Sequence, residues 1–188
     1  ESQNIVENVG VLDIGKSNIK LSACNYLGEI FETVSTPNET CYGKLWKYHD
    51  LKKTNIWVLK NLSHLSKKFN LKHFISAGHG SSLVFIGEDF DMNDDGATLP
   101  MIDYEQDIPE DIDKAYEKLC GDFYDRGSKI MGSASHAARQ MFWAETVESD
   151  KFNNSKWVLG ISQYWAWRLS GIAVSEVTSL GAQSHLWN

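Results

Sequence analysis

Three cysteines in 188 residues, Cys24, Cys41 and Cys120, stand far apart and form no C-x-x-C pair. That spacing excludes a disulfide framework and a cysteine zinc site, and it suits a reducing compartment. The six histidines show no H-x-x-x-H or H-E-x-x-H spacing, so the sequence offers no clustered metal ligands. Basic charge is short as well. Eighteen Lys and Arg against 25 Asp and Glu leave a net charge of -7, without the basic stripe that a nucleic-acid binder carries. No apolar run reaches spanning length and no signal peptide is present, so the expectation is a soluble cytoplasmic protein without a membrane role. Internal repeats and low-complexity linkers are also missing. The length suits one domain, or two small ones, with apolar residues enough for a core.

What is present reads as an α/β pattern. Residues 9–13 form an apolar run, and "IKLSACN" at 19–25 alternates apolar and polar, which predicts two strands. A turn at Tyr26-Leu27-Gly28-Glu29 leads to a third strand, "IFETVST", ending at Pro37, so the three should form an antiparallel meander. Residues 50–69 predict a helix with Asp50 as N-cap, its apolar stripe being Leu51, Val58, Leu62, Leu65 and Phe69 and its other face bearing lysines. "HFISAGHG" and "LVFIG" predict further strands. The acidic tip "EDFDMNDDG" should turn at Asp95-Gly96 into a strand over "ATLPMIDY". Pro109-Glu110-Asp111 opens a second helix. Helices are predicted over 134–148 and 157–170, the latter dense in tryptophan and closed by Gly171. One layer of mixed β-sheet flanked by helices is the fold class that follows.

The stretch "GVLDIGKS", Gly10 to Ser17, matches the phosphate-loop pattern G-x-x-x-x-G-K-[ST]. Its context does not fit one. A phosphate loop follows a buried strand and opens into a helix, whereas here the preceding "ESQNIVEN" is polar and the residues after Ser17 alternate like a strand. The residues read better as strand, Asp-x-Gly turn, strand. Backbone N–H groups around such a turn can face a phosphate, with Lys16, Ser17 and Lys20 as further donors. Asp13 would repel a phosphate unless a Mg²⁺ lies between them, and magnesium takes one or two carboxylates together with phosphate oxygens.

"VGVLDIGKSNIKL", "GHG" at 78–80, "ATLPMIDYE" at 97–105 and "QYWAWRLSGIAVSEVTSLGAQSHLWN" at 163–188 together resemble the N-terminal half of an FGGY carbohydrate kinase, closest to its rhamnulokinase and fuculokinase-like branch. The resemblance implies a ribonuclease H-like fold of the actin and sugar-kinase type, ATP and Mg²⁺ as cofactors, and phosphoryl transfer to a hydroxyl of a sugar or polyol. It implies that Asp13 is the metal and phosphate aspartate. Gly15 and Lys16 lie in the phosphate turn, Ser17 falls where relatives place a hydroxyl near the γ-phosphate, and Lys20 falls where a basic side chain reaches the phosphates. His79 and Gly80 fall in one wall of the sugar pocket. Asp103, Tyr104 and Glu105 fall where relatives bind sugar hydroxyls, with an aromatic face against the ring. Many relatives have Gly-Gln-x-His-Gly where this chain has Gly78-His79-Gly80-Ser81-Ser82, so the sugar is left open. The family's general-base aspartate and adenosine motifs belong to a C-terminal nucleotide-binding domain. Residues 1–188 are therefore expected to be the N-terminal sugar-binding domain, inactive alone, and a homodimer stays open.

Other features carry a plainer expectation. Asp91-x-Asn93-x-Asp95-Gly96 begins like a calcium loop, but the twelfth position is Ile102 rather than Glu, so a solvated hairpin tip is expected. His136 should be a partly exposed histidine at a helix start, in a segment that faces the sugar in relatives. Trp143, Trp157, Trp165 and Trp167 read as core or interface residues, and Ser175-Glu176-Val177-Thr178-Ser179 as a strand and turn. Two rival functions share the fold: a sugar or nucleotide sensor without turnover, and an actin-like or chaperone-like ATPase indifferent to sugar.

Overall fold

The structure, a computed structural model, describes residues 7–88 and 94–186, without the side chain of Gln183. In chain order the elements are β1 (Asn8–Ile14), β2 (Asn18–Asn25), β3 (Ile30–Pro37), β4 (Thr40–Tyr42), β5 (Lys47–His49), α1 (Leu51–Phe69), β6 (Leu71–Gly78), β7 (Leu83–Gly87), β8 (Met101–Ile102), α2 (Glu110–Leu119), α3 (Phe123–Arg126), α4 (Ala137–Val147), α5 (Ser149–Asn153), β9 (Ser155–Gly160), α6 (Ile161–Ser170) and α7 (Val177–Gln183). They fall into two compact units, one of residues up to Glu39 plus Lys52–His79, the other of Thr40–Leu51 plus the residues from Gly80 on.

The first unit is a four-stranded mixed sheet in the order β3-β2-β1-β6. The predicted meander is there, antiparallel throughout, and β6 joins parallel to β1. Strand alternation sorts its residues by face. Leu12, Ile14, Ile19 and Leu21 are buried, while Asp13 and Lys20 are exposed between them. Helix α1 begins directly after Asp50, with Val58 and Leu65 fully buried. Gly10 explains how closely this helix approaches the sheet. A Cβ there would lie 3.2 Å from methyl carbons of both Leu62 and Leu71.

The second unit holds a three-stranded sheet, β4-β5-β8, and a two-stranded one, β7-β9. Its core gathers Trp46, Phe85, Leu99, Ile102, Ile112 and Trp143. Trp46 meets Trp143 edge-on, with ring centroids 5.3 Å apart, and its indole N–H donates to the Pro100 carbonyl at 3.0 Å. Trp46 is thereby buried with its polar handle satisfied. Arg139, 3% exposed, is the polar counterpart of that core. Its guanidinium donates to Asp113 Oδ1 from Nε (3.1 Å) and Nη2 (2.5 Å), and from Nη1 to the carbonyls of Met131 (2.6 Å) and Ser133 (2.7 Å).

Several predicted elements differ. Residues 155–160 are strand β9, antiparallel to β7, not the start of a helix, and α6 begins only at Ile161. An unpunctuated apolar run fits either element, and pairing with the apolar β7 decides it. The strand expected over "ATLPMIDY" shrinks to Met101–Ile102, which pairs with β5. Ala97 bridges Ile86, and Gly96, at φ 76°, accepts from the Gly87 N–H, so the chain runs back along β7 from Gly96 on. The reversal falls before it, in a span whose residues 89–93 lie outside the described ones. The helix expected from 134 starts at Ala137. Residues 175–179 hold the start of helix α7 instead of a strand, because Glu176 caps it by accepting from the N–H groups of Thr178 and Ser179. Gly171, at φ 74°, closes α6 as predicted. Trp143, Trp165 and Trp167 are buried, and Trp157 is half-buried on β9. Asp91 and Asn93 of the calcium-loop pattern lie outside the described residues. No helix among the described residues is long and apolar enough to cross a membrane.

Candidate functional site

Within the first unit, Asp13, Gly15, Lys16, Ser17 and Lys20 all belong to one hairpin. Asp13 is the next-to-last residue of β1, and Lys20 is its direct partner on β2. The turn between them closes through the Gly15 N–H, which donates to the Asn18 carbonyl at 3.0 Å. A Cβ on Gly15 would lie 2.9 Å from that same oxygen, so glycine is what allows the approach. Both flanks are strand, and no helix follows Ser17. The carboxylate, the Ser17 hydroxyl and the Lys20 ammonium are borne by exposed residues at the strand ends. Such a cluster can hold a cation and an anion together. The residue that sequence reasoning passed over is Asn38, only 8% exposed, which donates from Nδ2 to the Gly15 carbonyl (2.8 Å) and from its backbone N–H to the Ser17 carbonyl (2.9 Å). Pro37-Asn38 reads merely as turn chemistry, and nothing in it signals a bond reaching back 23 residues. His79 follows β6 in the same unit and is half-buried.

In the second unit, Asp103, Tyr104 and Glu105 follow β8 in a tight turn. Asp103 is 3% exposed. Its Oδ2 accepts from the Thr40 hydroxyl at 2.9 Å, its Oδ1 accepts from the Glu105 N–H at 3.1 Å, and His49 Nε2 lies 3.9 Å from Oδ1. Gln106 fastens this turn to β5, donating from Nε2 to the Lys47 carbonyl (2.7 Å) and accepting from the Lys47 N–H (2.9 Å). Tyr104 is half-buried and Glu105 exposed, so both can meet a ligand. Gln106 was not singled out from the sequence, where a lone glutamine gives no signal.

Gly80 lines a half-enclosed cavity of about 230 Å³ with Leu83, Ala137, Met141, Glu176 and Ser179 among its walls. Asp103, Tyr104 and Glu105 do not line it. Glu176 is held at about 2, well below the usual carboxylate, by bonds from the Thr178 hydroxyl and from the backbone N–H groups of Thr178 and Ser179. Its charge therefore belongs to the α7 cap. His136 precedes α4 as predicted but is fully buried rather than partly exposed. Its Nε2 accepts from the Met131 N–H at 2.9 Å, and its ring stacks on His185 with centroids 3.6 Å apart. Burial foremost, and His136 next, push His185 down to about 4, while burial raises Tyr116, whose hydroxyl lies 2.9 Å from His185 Nδ1, to about 12. The pair is built for packing in neutral form.

No protein-family model and no curated protein matches the chain. Solved structures do. A carbohydrate kinase from Novosphingobium aromaticivorans superposes with a TM-score of 0.85 at 29% identity, over 97% of this chain and 38% of that one. Gluconate kinase from Lactobacillus acidophilus follows at 0.77 and 16% identity, over 95% of this chain and 36% of that one. Plasmodium falciparum glycerol kinase with ADP gives 0.72 and 12% identity, over 96% of this chain and 38% of that one. The chain thus spans well under half the length of each. Its structural neighbours are carbohydrate kinases, and its fold is the ribonuclease H-like α/β fold of sugar kinases, a mixed sheet flanked by helices.

Proposed function

We propose that these 188 residues are the N-terminal, sugar-binding part of an ATP-dependent FGGY carbohydrate kinase of the rhamnulokinase and fuculokinase-like branch, cytoplasmic, acting on a hydroxyl of a sugar or polyol. The observation that carries this reading is the β1–β2 hairpin, which sets an exposed carboxylate, a hydroxyl and an ammonium around a tight turn between two strands. The carbohydrate-kinase neighbours support it. In this reading the nucleotide-binding domain and the general-base aspartate lie outside these residues, in keeping with the 38% of the Novosphingobium kinase that the chain covers.

The donor set fits magnesium bound with a nucleotide. Among the described residues no group of three or more His, Cys, Asp or Glu could hold a metal ion by itself. A single carboxylate suffices for an ion that brings phosphate oxygens and water as its other ligands. Asp13 would hold that ion, and Gly15, Lys16, Ser17 and Lys20 would orient and neutralise the phosphates. When bound, magnesium and ATP supply an activated γ-phosphoryl group. Tyr104 and Glu105 would meet the sugar, aromatic face to ring and carboxylate to hydroxyls, with the buried Asp103 fixing their turn, and His79 and Gly80 would add further contacts to the sugar. Positioning and charge neutralisation are most of what phosphoryl transfer asks of a protein.

The test is a coupled ATP assay of the full-length protein against ketoses, aldoses and polyols, with Asp13→Ala beside it. Sugar-dependent ADP release is expected, falling by about two to three orders of magnitude in the variant. Release that survives Asp13→Ala refutes the assigned role. Sugar binding without turnover would make the protein a sensor, and hydrolysis indifferent to sugar an ATPase.

A further inference from the structure

Asn38 is held at the end of β3 by Pro37, whose ring fixes the backbone just before it. From there it donates to two carbonyls, those of Gly15 and Ser17, one on each side of Lys16. No peptide bond among the described residues is cis, and in a trans peptide the C=O and the following N–H point in opposite directions. Drawing the Gly15 oxygen toward Asn38 therefore turns the Lys16 N–H away from Asn38. Drawing in the Ser17 oxygen does the same to the Asn18 N–H. The Asn18 carbonyl is in turn taken by the Gly15 N–H. Three carbonyls of the turn are thus bonded within the unit before any anion arrives.

A turn that receives phosphate must keep carbonyl oxygens back and N–H groups forward, since an anion is repelled by the first and bound by the second. We infer that Asn38 is the positioning residue of this turn: its two donors hold the carbonyls of Gly15 and Ser17 inward and so preset the N–H groups for a phosphate. The inference rests on the reading of the hairpin as a phosphate site. Asparagine suits the task because it adds a short side-chain donor to its backbone one. Alanine lacks that donor, and aspartate would set an acceptor against the Gly15 carbonyl.

The experiment uses the 188-residue chain, ¹⁵N-labelled, titrated with magnesium tripolyphosphate and followed by the amide signals of residues 15–18. Asn25→Ala is the control, because Asn25 also fastens a turn of this sheet, accepting from the N–H groups of Leu27 and Glu29, both at 3.0 Å. Wild type is expected to show saturable shifts at Lys16 and Asn18. Asn38→Ala moves the Lys16 amide already in the free protein and weakens binding about tenfold, and Asn38→Asp weakens it further. Asn25→Ala lowers Tm as Asn38→Ala does, yet keeps wild-type affinity. Unchanged affinity in both Asn38 variants, or equal weakening in Asn25→Ala, overturns the inference alone and leaves the phosphate site standing. A wild type that shows no shift at the turn overturns the phosphate site, and the role of Asn38 with it.

Discussion

Asp13 and Lys20 are direct partners across the β1–β2 pair, and the next pair toward the turn is Ile14 with Ile19. One pair is exposed and charged, while the other is 2% and 1% exposed on the opposite face. The two rows therefore do separate work: the isoleucines hold the hairpin, and the charges are available to a ligand. Asp13→Ala should change stability by no more than about 0.5 kcal/mol, since opposite charges facing each other on an exposed sheet surface contribute little. Ile14→Ala should cost about 3 kcal/mol through the cavity it leaves. Urea denaturation of both variants checks this, and a large loss in Asp13→Ala would make that carboxylate structural.

Gly10 and Gly15 are both crowded, but by different neighbours. An added Cβ at Gly10 meets side-chain ends of Leu62 and Leu71 at 3.2 Å, which can give way. At Gly15 it meets the backbone oxygen of Asn18 at 2.9 Å, and that oxygen already accepts the Gly15 N–H. Gly15→Ala should therefore cost about 2 kcal/mol and displace the Lys16 and Ser17 amide signals, against about 1 kcal/mol and no change at the turn for Gly10→Ala. Chemical denaturation and amide spectra of the two variants decide the order. Equal losses with an undisturbed turn would contradict it.

The hairpin was legible because Ile19, Leu21 and Ala23 alternate with polar residues at period two, just after the apolar run at 9–13, and period two has one structural meaning. Helix α1 was legible for the matching reason at helical spacing. Trp157, Val158 and Leu159 carry no period, so only their pairing with β7 makes them a strand. Helix α7 escaped because its cap is Glu176, a residue uncommon in that position. The candidate site was legible where chemistry is local, as at Asp13, Gly15 and Ser17. It was not legible at Asn38 or Gln106, whose bonds span tens of residues. Asp103 shows a further limit: a carboxylate reads alike in sequence whether it is open or closed in on Thr40 and Glu105.

Arg139 joins Asp113 of α2 to the carbonyls of Met131 and Ser133, all through one planar group. Arg139→Ala leaves two carbonyls and a carboxylate without their donors, which should cost about 3 kcal/mol. Arg139→Lys should recover only a small part, because a single ammonium cannot reproduce the fork. Urea midpoints of the two variants against wild type test this. A lysine variant as stable as wild type would show that charge alone matters there.

His185 gives the chain a pH dependence whose sign follows from its packing. Stacked on His136, with Tyr116 against its Nδ1, it is held near 4 rather than at its ordinary 6.5, by burial first and by His136, Arg126 and Arg139 after it. Between those values the unfolded chain binds a proton that the folded one refuses, so stability rises with pH across the window. It falls as pH drops from 6.5 toward 4, and below 4 this residue adds no further loss. His185→Gln removes the titration, so its Tm should fall less steeply than wild type from pH 6.5 to 4. The carboxylates that titrate in the same range are shared by both proteins and cancel in the difference. Parallel Tm profiles would mean that the histidine stack does not govern the acid sensitivity of this unit.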